Sequence, residues 1–338
     1  MKKKSIIAFI AGKSGGHIIP AITLAKKIYN QDADATILFF STANALDKAI
    51  LDNYSFITHI PIYLDNIPRK LWFYPVYILK TIFIIFQCFR LLRKNKPSKI
   101  ISMGGYISLP VCIAARFLKI PIELFELNAI PGKAIKILSP LARTIWYCFP
   151  EAKKYLPQQK SEYCLYPLNF TQTDRNSTLH AINTLNLQKN RKTLFVLGGS
   201  QGSIFINDLI KNIVLTNPAI LSSIQIIHQI GKDNIDEWSS LYKSLSLPHH
   251  VFSFNHNMAP FYNAADCIIS RAGAGTIFEI LFFAKPAILI PLKTNTTNHQ
   301  YFNAQAIADK FPQLISVLPQ EEIMKDNNLF KKTIKTFL

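Results

Sequence analysis

Ile6-Ile7-Ala8-Phe9-Ile10-Ala11-Gly12-Lys13-Ser14-Gly15-Gly16-His17 joins an unbroken apolar run to a glycine-rich turn, and helical periodicity follows from Ile18 to Ile28. A short apolar run without alternation reads as a strand buried on both faces. Handed through glycines to a helix, it opens a βαβ unit of a parallel sheet. The second half repeats the device: Thr193–Leu197 leads into Gly198-Gly199-Ser200-Gln201-Gly202-Ser203 and then a helix from Ile204 to Ile213. Outward from these two stretches, strands are expected at Thr36–Ser41, Phe56–Pro61, Lys99–Ser102, Ile122–Phe125 and Thr144–Tyr147 in the first half. In the second they are expected at Ile224–Gln229, Val251–Phe254, Cys267–Ser270 and Ala287–Ile290, with helical segments between. The pattern predicts an α/β protein of two doubly wound halves. Pro157 to Asn190, rich in Gln, Asn, Ser and Thr, reads as the connection, with the boundary near Tyr166.

The 338 residues, 49% hydrophobic, suffice for two cores and exclude a disordered chain. Only 17% are charged, yet the formal net charge is +18, which predicts a polyanionic partner or an anionic surface. The excess is lopsided: residues 1–169 hold 23 Lys and Arg against 9 Asp and Glu, residues 170–338 hold 15 against 11. Between Asp65 and Glu123 there is no acid and there are ten bases. The five cysteines form no C-x-x-C pair and no zinc spacing with histidine, so a reducing compartment is expected, with neither a disulfide framework nor a structural metal. Met1-Lys2-Lys3-Lys4 before an apolar run mimics a short signal peptide, but Gly12-Lys13 interrupts the run, and a buried first strand is the better reading.

Glycines between a strand and a helix let backbone N–H groups approach an anion or a sugar at the positive end of the helix. Gly12-Lys13-Ser14 is not a P-loop, because Ile7 stands where that motif needs its first glycine, and the spacing also fails the dinucleotide fingerprint. His17 at the mouth of the turn can accept a proton; a capping or packing role is the alternative. A second turn, Ser102-Met103-Gly104-Gly105-Tyr106, again links a strand to an apolar helix. Asn128 in Glu126-Leu127-Asn128 can hold a sugar or diphosphate oxygen with Glu126 as an orienting partner, against the alternative of a solvated turn. In Ser270-Arg271-Ala272-Gly273-Ala274-Gly275-Thr276-Ile277-Phe278-Glu279, Glu279 is expected near the helix start, where a carboxylate can take both ribose hydroxyls. His299 and Gln300 can face sugar hydroxyls. The lone Asp-x-Asp, Asp32-Ala33-Asp34, reads as a solvated corner rather than a metal site.

Taken in order and spacing over nearly the whole chain, these motifs resemble the GT-B glycosyltransferases and, within them, the MurG-type enzymes of family 28. The resemblance implies two Rossmann-like domains facing a central cleft: 1–165 for the acceptor and the membrane, 166–318 for the UDP-sugar, and a C-terminal helix, 319–338, packing back on the first domain. It implies inverting transfer of N-acetylglucosamine from UDP-N-acetylglucosamine to the 4-hydroxyl of undecaprenyl-diphospho-N-acetylmuramoyl-pentapeptide in peptidoglycan synthesis, with no cofactor, no metal and no nucleic-acid partner. His17 is the implied base. Ser14, Gly15, Gly16, Gly104, Gly105, Tyr106, Glu126 and Asn128 are implied on the acceptor side. On the donor side stand Lys13, Gly199, Ser200, Gln201, Gly202, Asn255, Arg271, Gly273, Ala274, Glu279, His299 and Gln300, with Asn128 reaching both. Asn169, in Leu165-Tyr166-Pro167-Leu168-Asn169, stands where the family carries an arginine, and Lys13 can supply a phosphate-binding cation in a position the family commonly leaves uncharged. The alternatives are another GT-B sugar-nucleotide enzyme, an epimerase or a transferase to a different lipid, and an inactive membrane-associated scaffold.

Leu71 to Leu92 is long and apolar, but Lys80 sits in its middle and Pro75 near its start. Trp72, Phe73 and Tyr74 beside Arg69 and Lys70 at one end, and Arg90, Arg93 and Lys94 at the other, predict an interfacial segment. Trp72, Phe73, Tyr74, Lys80 and Arg90 are the expected membrane contacts, on the cytoplasmic face of the plasma (inner) membrane.

Overall fold

The computed structural model describes residues 5–12, 15–64, 68, 70–199, 202–217, 223–293 and 298–337. It divides into two compact units, 1–169 and 170–338. In the first, β1 (Ile6–Ile10), β2 (Thr36–Thr42), β3 (Ile57–Ile62), β4 (Lys99–Ser102), β5 (Ile122–Glu126), β6 (Thr144–Tyr147) and β7 (Ser161–Tyr163) form one sheet in the order β3-β2-β1-β4-β5-β6-β7. In the second, β8 (Lys192–Leu197), β9 (Ile224–Gln229), β10 (His249–Phe252), β11 (Cys267–Ser270), β12 (Ala287–Leu289) and β13 (Ile315–Val317) follow the order β10-β9-β8-β11-β12-β13. Every pairing is parallel.

Both sheets therefore start in the middle, wind outward on one side, and return to wind outward on the other. This is the doubly wound Rossmann-like order, whose switch point lies between β1 and β4 and between β8 and β11. Central strands of such sheets are covered on both faces. Ala8, Phe9 and Ile10 and, in the second unit, Phe195, Val196, Ile268 and Ile269 are accordingly buried whichever way they point. One face of the first sheet packs Ala8, Ile10, Phe40 and Ile100 against Val111 and Cys112 of the helix Ser108–Phe117 and Ile84, Cys88 and Leu92 of the helix Tyr74–Asn95. In the second unit Val196, Ile226 and Ile269 pack against Ile206, Ile210 and Tyr242.

The expected strands form, and the sequence reading missed two, β7 and β13. Each has three residues at a sheet edge, too few to show a pattern of their own. The supposed connection from Pro157 thus contains β7 and the helix Thr178–Thr184, and the division falls after Asn169. The C-terminal segment forms two helices, Gln320–Lys325 and Asn327–Phe337. Phe330 and Ile334 are buried in the second unit's own core with Ile288, Ile290, Leu318 and Ile323, so the stripe is already filled there.

Candidate active site

Both switch points carry glycine turns at the strand ends, as this topology demands of a ligand site. In the first unit the helix Gly15–Gln31 follows β1 directly, with His17 half-buried in its first turn. The turn after β4 sets Gly104 and Gly105 at φ +81° and +85°, a left-handed pair that side chains resist. A Cβ built on Gly105 would lie 3.9 Å from His17 Nδ1, so the imidazole faces this second turn. The turn is held from below by a buried serine pair that sequence reading did not single out. Ser102 Oγ donates to Ser108 Oγ at 2.8 Å, Ser108 Oγ also approaches the Gly104 carbonyl at 2.6 Å, and Gly104 N donates to Ser102 Oγ at 3.1 Å. Tyr106 is partly buried above the same core.

Glu126, at the end of β5, is 2% exposed and turned inward. Its Oε1 accepts from Asn128 N at 2.8 Å and Asn128 Nδ2 at 3.1 Å, and its Oε2 from Gly132 N at 2.8 Å. Burial pushes the carboxyl up to about 7 against these three donors, which favour the charged form. The carboxylate holds the Leu127–Gly132 loop and sets the position of Asn128.

In the second unit the turn Gly198–Gly202 brings chain against chain. A Cβ on Gly202 would come within 2.7 Å of Gly231 Cα, besides straining its φ of +77°. Ser203 caps the helix Ile204–Thr216. Gly273 is the N-cap of the helix Ala274–Phe283, whose first N–H groups, from Ala274 on, form a positive end at the close of β11. Glu279 lies in the second turn of that helix, further along than the sequence suggested. Its Oε2 accepts from the Tyr262 hydroxyl at 2.6 Å, its one partner among the described residues, and burial pushes the carboxyl up to about 7. Tyr262 is fully buried and stacked on Phe283 at 5.0 Å, so the carboxylate is held rigidly with one oxygen still available for hydroxyls.

Arg271 follows the last residue of β11. The arginine is 8% exposed and each guanidinium nitrogen meets protein: Nε donates to Ser203 Oγ at 3.1 Å, Nη1 to the Ile290 carbonyl at 3.2 Å and Nη2 to Gln320 Oε1 at 3.2 Å. It joins the end of β11 to three other segments. Gln300 opens the helix His299–Ala308 and accepts from Leu292 N at 2.8 Å, fixing the segment after β12 while its amide NH₂ stays a donor; His299 is half-buried beside it. Asn255 is exposed and accepts from Asn257 N at 2.8 Å, which makes its side chain part of the turn after β10. Gly15 and Gly16 open the helix after β1, and Gly199 follows β8 with φ +85°. Lys13, Ser14, Ser200 and Gln201 lie outside the described residues. Asp32 and Asp34 sit at an exposed corner before β2. Among the described residues no group of three His, Cys, Asp or Glu is placed to hold a metal ion.

The helix Tyr74–Asn95 is long and apolar enough, by length and composition, to cross a membrane. One side packs on the first sheet and on the helix Ser108–Phe117 through Ile84, Cys88 and Leu92. The other side is bare: Leu79 is 68% exposed and Phe83 61%, with Tyr74, Val76, Ile78, Ile82 and Phe86 exposed beside them, and in the 3-10 turn that precedes the helix Trp72 is 84% exposed and Phe73 is exposed too. The sequence reading stopped at the three aromatic residues and two cations; the spacing of Leu79, Phe83 and Phe86 was the signal for the rest. Lys80 is exposed, and Arg90 lies over the Phe86 ring at 5.7 Å.

Comparison with known proteins covers both units. The glycosyltransferase family 28 N-terminal domain matches residues 7–147 and the glycosyltransferase family 28 C-terminal domain residues 193–333. A UDP-N-acetylglucosamine–N-acetylmuramyl-(pentapeptide) pyrophosphoryl-undecaprenol N-acetylglucosamine transferase of Protochlamydia amoebophila is 35% identical over 91% of this chain and 81% of its own length. The Bacillus licheniformis protein of the same name is 31% identical over 95% and 87%. Among solved structures, the MurG of Acinetobacter baumannii superposes with a TM-score of 0.75 at 24% identity over 98% of this chain and 91% of its own, which establishes the GT-B fold. A Medicago truncatula glucosyltransferase complexed with UDP-glucose gives 0.64 at 14% identity, covering 94% of this chain and 85% of its own. With both domain models and full-length relatives in agreement, the chain belongs to glycosyltransferase family 28.

Proposed function

We propose that this chain transfers N-acetylglucosamine from UDP-N-acetylglucosamine to the 4-hydroxyl of undecaprenyl-diphospho-N-acetylmuramoyl-pentapeptide, with inversion, in peptidoglycan synthesis. The observation that carries the reading is the match through both units to enzymes named for that transfer. The site chemistry agrees with it. Direct displacement at an anomeric carbon needs a base for the incoming hydroxyl, stabilisation of the departing diphosphate, and fixed geometry. His17 takes the acceptor proton. Gly104, Gly105, Tyr106 and Asn128 bound the acceptor, with Gly15 and Gly16 beside them and Glu126 holding Asn128 in place. Glu279, oriented by Tyr262, takes the ribose hydroxyls. The amide groups at Gly199, Gly202 and from Gly273 and Ala274 onward receive the diphosphate, with Lys13, Ser200 and Gln201 completing that set. His299 and Gln300 face the sugar, and the turn at Asn255 borders the uracil. No cofactor enters.

The same reading makes the first unit a peripheral membrane domain on the cytoplasmic face of the plasma membrane, where the lipid acceptor lies. The helix Tyr74–Asn95 shares one side with the sheet it covers, so it enters the interface lengthwise and does not span the bilayer. Its bare apolar side and the surrounding bases act together on anionic lipid, at roughly 1 kcal/mol per basic residue near the surface. The test is purified protein with radiolabelled UDP-N-acetylglucosamine and the lipid acceptor in vesicles. Label passing into the lipid fraction is the expected result. Free labelled sugar or an epimer contradicts it in favour of another GT-B chemistry, and donor binding without turnover contradicts it in favour of a scaffold.

A further inference from the structure

We propose that Cys148 and Cys164 form an oxidative modification site, closing to a reversible disulfide when a hydroperoxide reaches them. The two residues stand immediately beyond β6 and β7, which pair with Tyr147 opposite Tyr163, and Cys164 N donates to the Tyr147 carbonyl at 3.0 Å, so the ladder runs on to the cysteines. Their sulfurs are 3.8 Å apart. Residues facing each other on neighbouring strands are about 5 Å apart at Cα, inside the range a disulfide tolerates. Nothing in the chain order announced this: fifteen residues separate them, and only the strand pairing brings them together.

The pair is asymmetric. Cys148 is buried and Cys164 partly exposed. Either sulfur can donate across the contact; sharing a proton with its neighbour lowers the Cys164 thiol, while that contact and burial push the Cys148 thiol up. Cys164 is thus the attacking thiolate and Cys148 the resolving thiol. The other three cysteines are buried, their thiols pushed up to about 12, and do not compete. The Cys164 thiolate attacks one oxygen of the hydroperoxide; the O–O bond breaks, sulfur becomes a sulfenic acid, and the departing oxygen leaves protonated. Cys148 sulfur then attacks Cys164 sulfur; the S–S bond forms, the S–O bond breaks, and the hydroxyl leaves as water with the Cys148 proton. One hydroperoxide is reduced and two thiols are oxidised.

Closure to about 2.05 Å draws the end of β6 towards β7. On the opposite side Cys148 N donates to the Glu126 carbonyl at 3.1 Å, so the displacement pulls on the residue that fixes the Leu127–Gly132 loop.

The test treats the reduced full chain with hydrogen peroxide, then counts thiols, measures intact mass and maps cross-linked peptides. Loss of two of the five thiols, a product lighter by two hydrogens, a Cys148–Cys164 peptide and recovery with dithiothreitol are the expected results. Cys164→Ser and Cys148→Ser should each abolish the cross-link. Cys148→Ala guards against a serine that disturbs the core, and should leave a trappable sulfenic acid on Cys164. Amide exchange over Leu127–Gly132 should quicken in the oxidised protein. Five persistent thiols, or oxygen added to Cys164 without a cross-link, overturn the site; a cross-link with unchanged exchange overturns its coupling to the loop.

Discussion

A carboxylate that binds sugar hydroxyls has to be ionised, and the burial that holds Glu279 still works against that. The consequence is a pH dependence with a definite sign. With the carboxyl titrating at about 7, donor affinity measured by UDP binding should rise roughly tenfold between pH 6 and pH 8, and this rise should vanish in Glu279→Gln. A flat profile in the parent chain would remove Glu279 from the donor site. For stability the sign is reversed: a raised carboxyl pKa stabilises the fold fully below its ordinary 4.5, and that contribution is lost as pH climbs through 7. Arg271→Ala separates support from contact. Because all three nitrogens are bonded to protein, the change should cost about 2–4 kcal/mol of unfolding free energy, read as a lowered Tm. Lost UDP binding at unchanged Tm would instead make Arg271 a ligand. Sequence alone picked out Glu279 as a free acid after a glycine turn, yet could not separate it from Arg271 in the same turn. Tyr262 and Gln320, the partners that distinguish the two, lie far along the chain, and only the packed helices bring them close.

At the scale of elements, alternation of apolar strands with helices was legible because central parallel strands are covered on both faces, and β1 is apolar throughout, as are Leu194–Leu197 of β8 and Cys267–Ile269 of β11. β7 and β13 were not, because edge strands of three residues are fixed by the neighbour they pair with rather than by their own pattern. The helix Tyr74–Asn95 lay between these cases: its length was plain, but which side faces protein depends on where the sheet lies. Three substitutions, Trp72, Phe73 and Tyr74 to Ser, should release the chain from anionic vesicles and leave Tm and UDP binding unchanged, and Leu79→Ser with Phe83→Ser should do the same. Leu92→Ala on the packed side should instead cost about 2–5 kcal/mol of stability. Sedimentation with lipid at low and raised salt is the measurement, since screening weakens a surface attraction. Unfolding of the first group, or undiminished sedimentation, would make the bare side a core.

On the scale of the whole molecule the proposed function gives the two units different halves of one reaction. The helix Asn327–Phe337 belongs to the second unit through Phe330 and Ile334, so deleting it should lower the thermal stability of that unit and weaken UDP binding, while vesicle binding persists. Loss of vesicle binding together with UDP binding would mean that the segment serves both. The division of labour is tested most directly by His17→Ala, with transfer to the lipid acceptor and UDP affinity measured on the same preparation. Removing a general base acts on the transition state, so the rate constant for transfer should fall about 10²–10⁴-fold while UDP affinity stays within about twofold. Transfer at the parental rate, or a loss of UDP affinity equal to the loss of rate, would contradict the account.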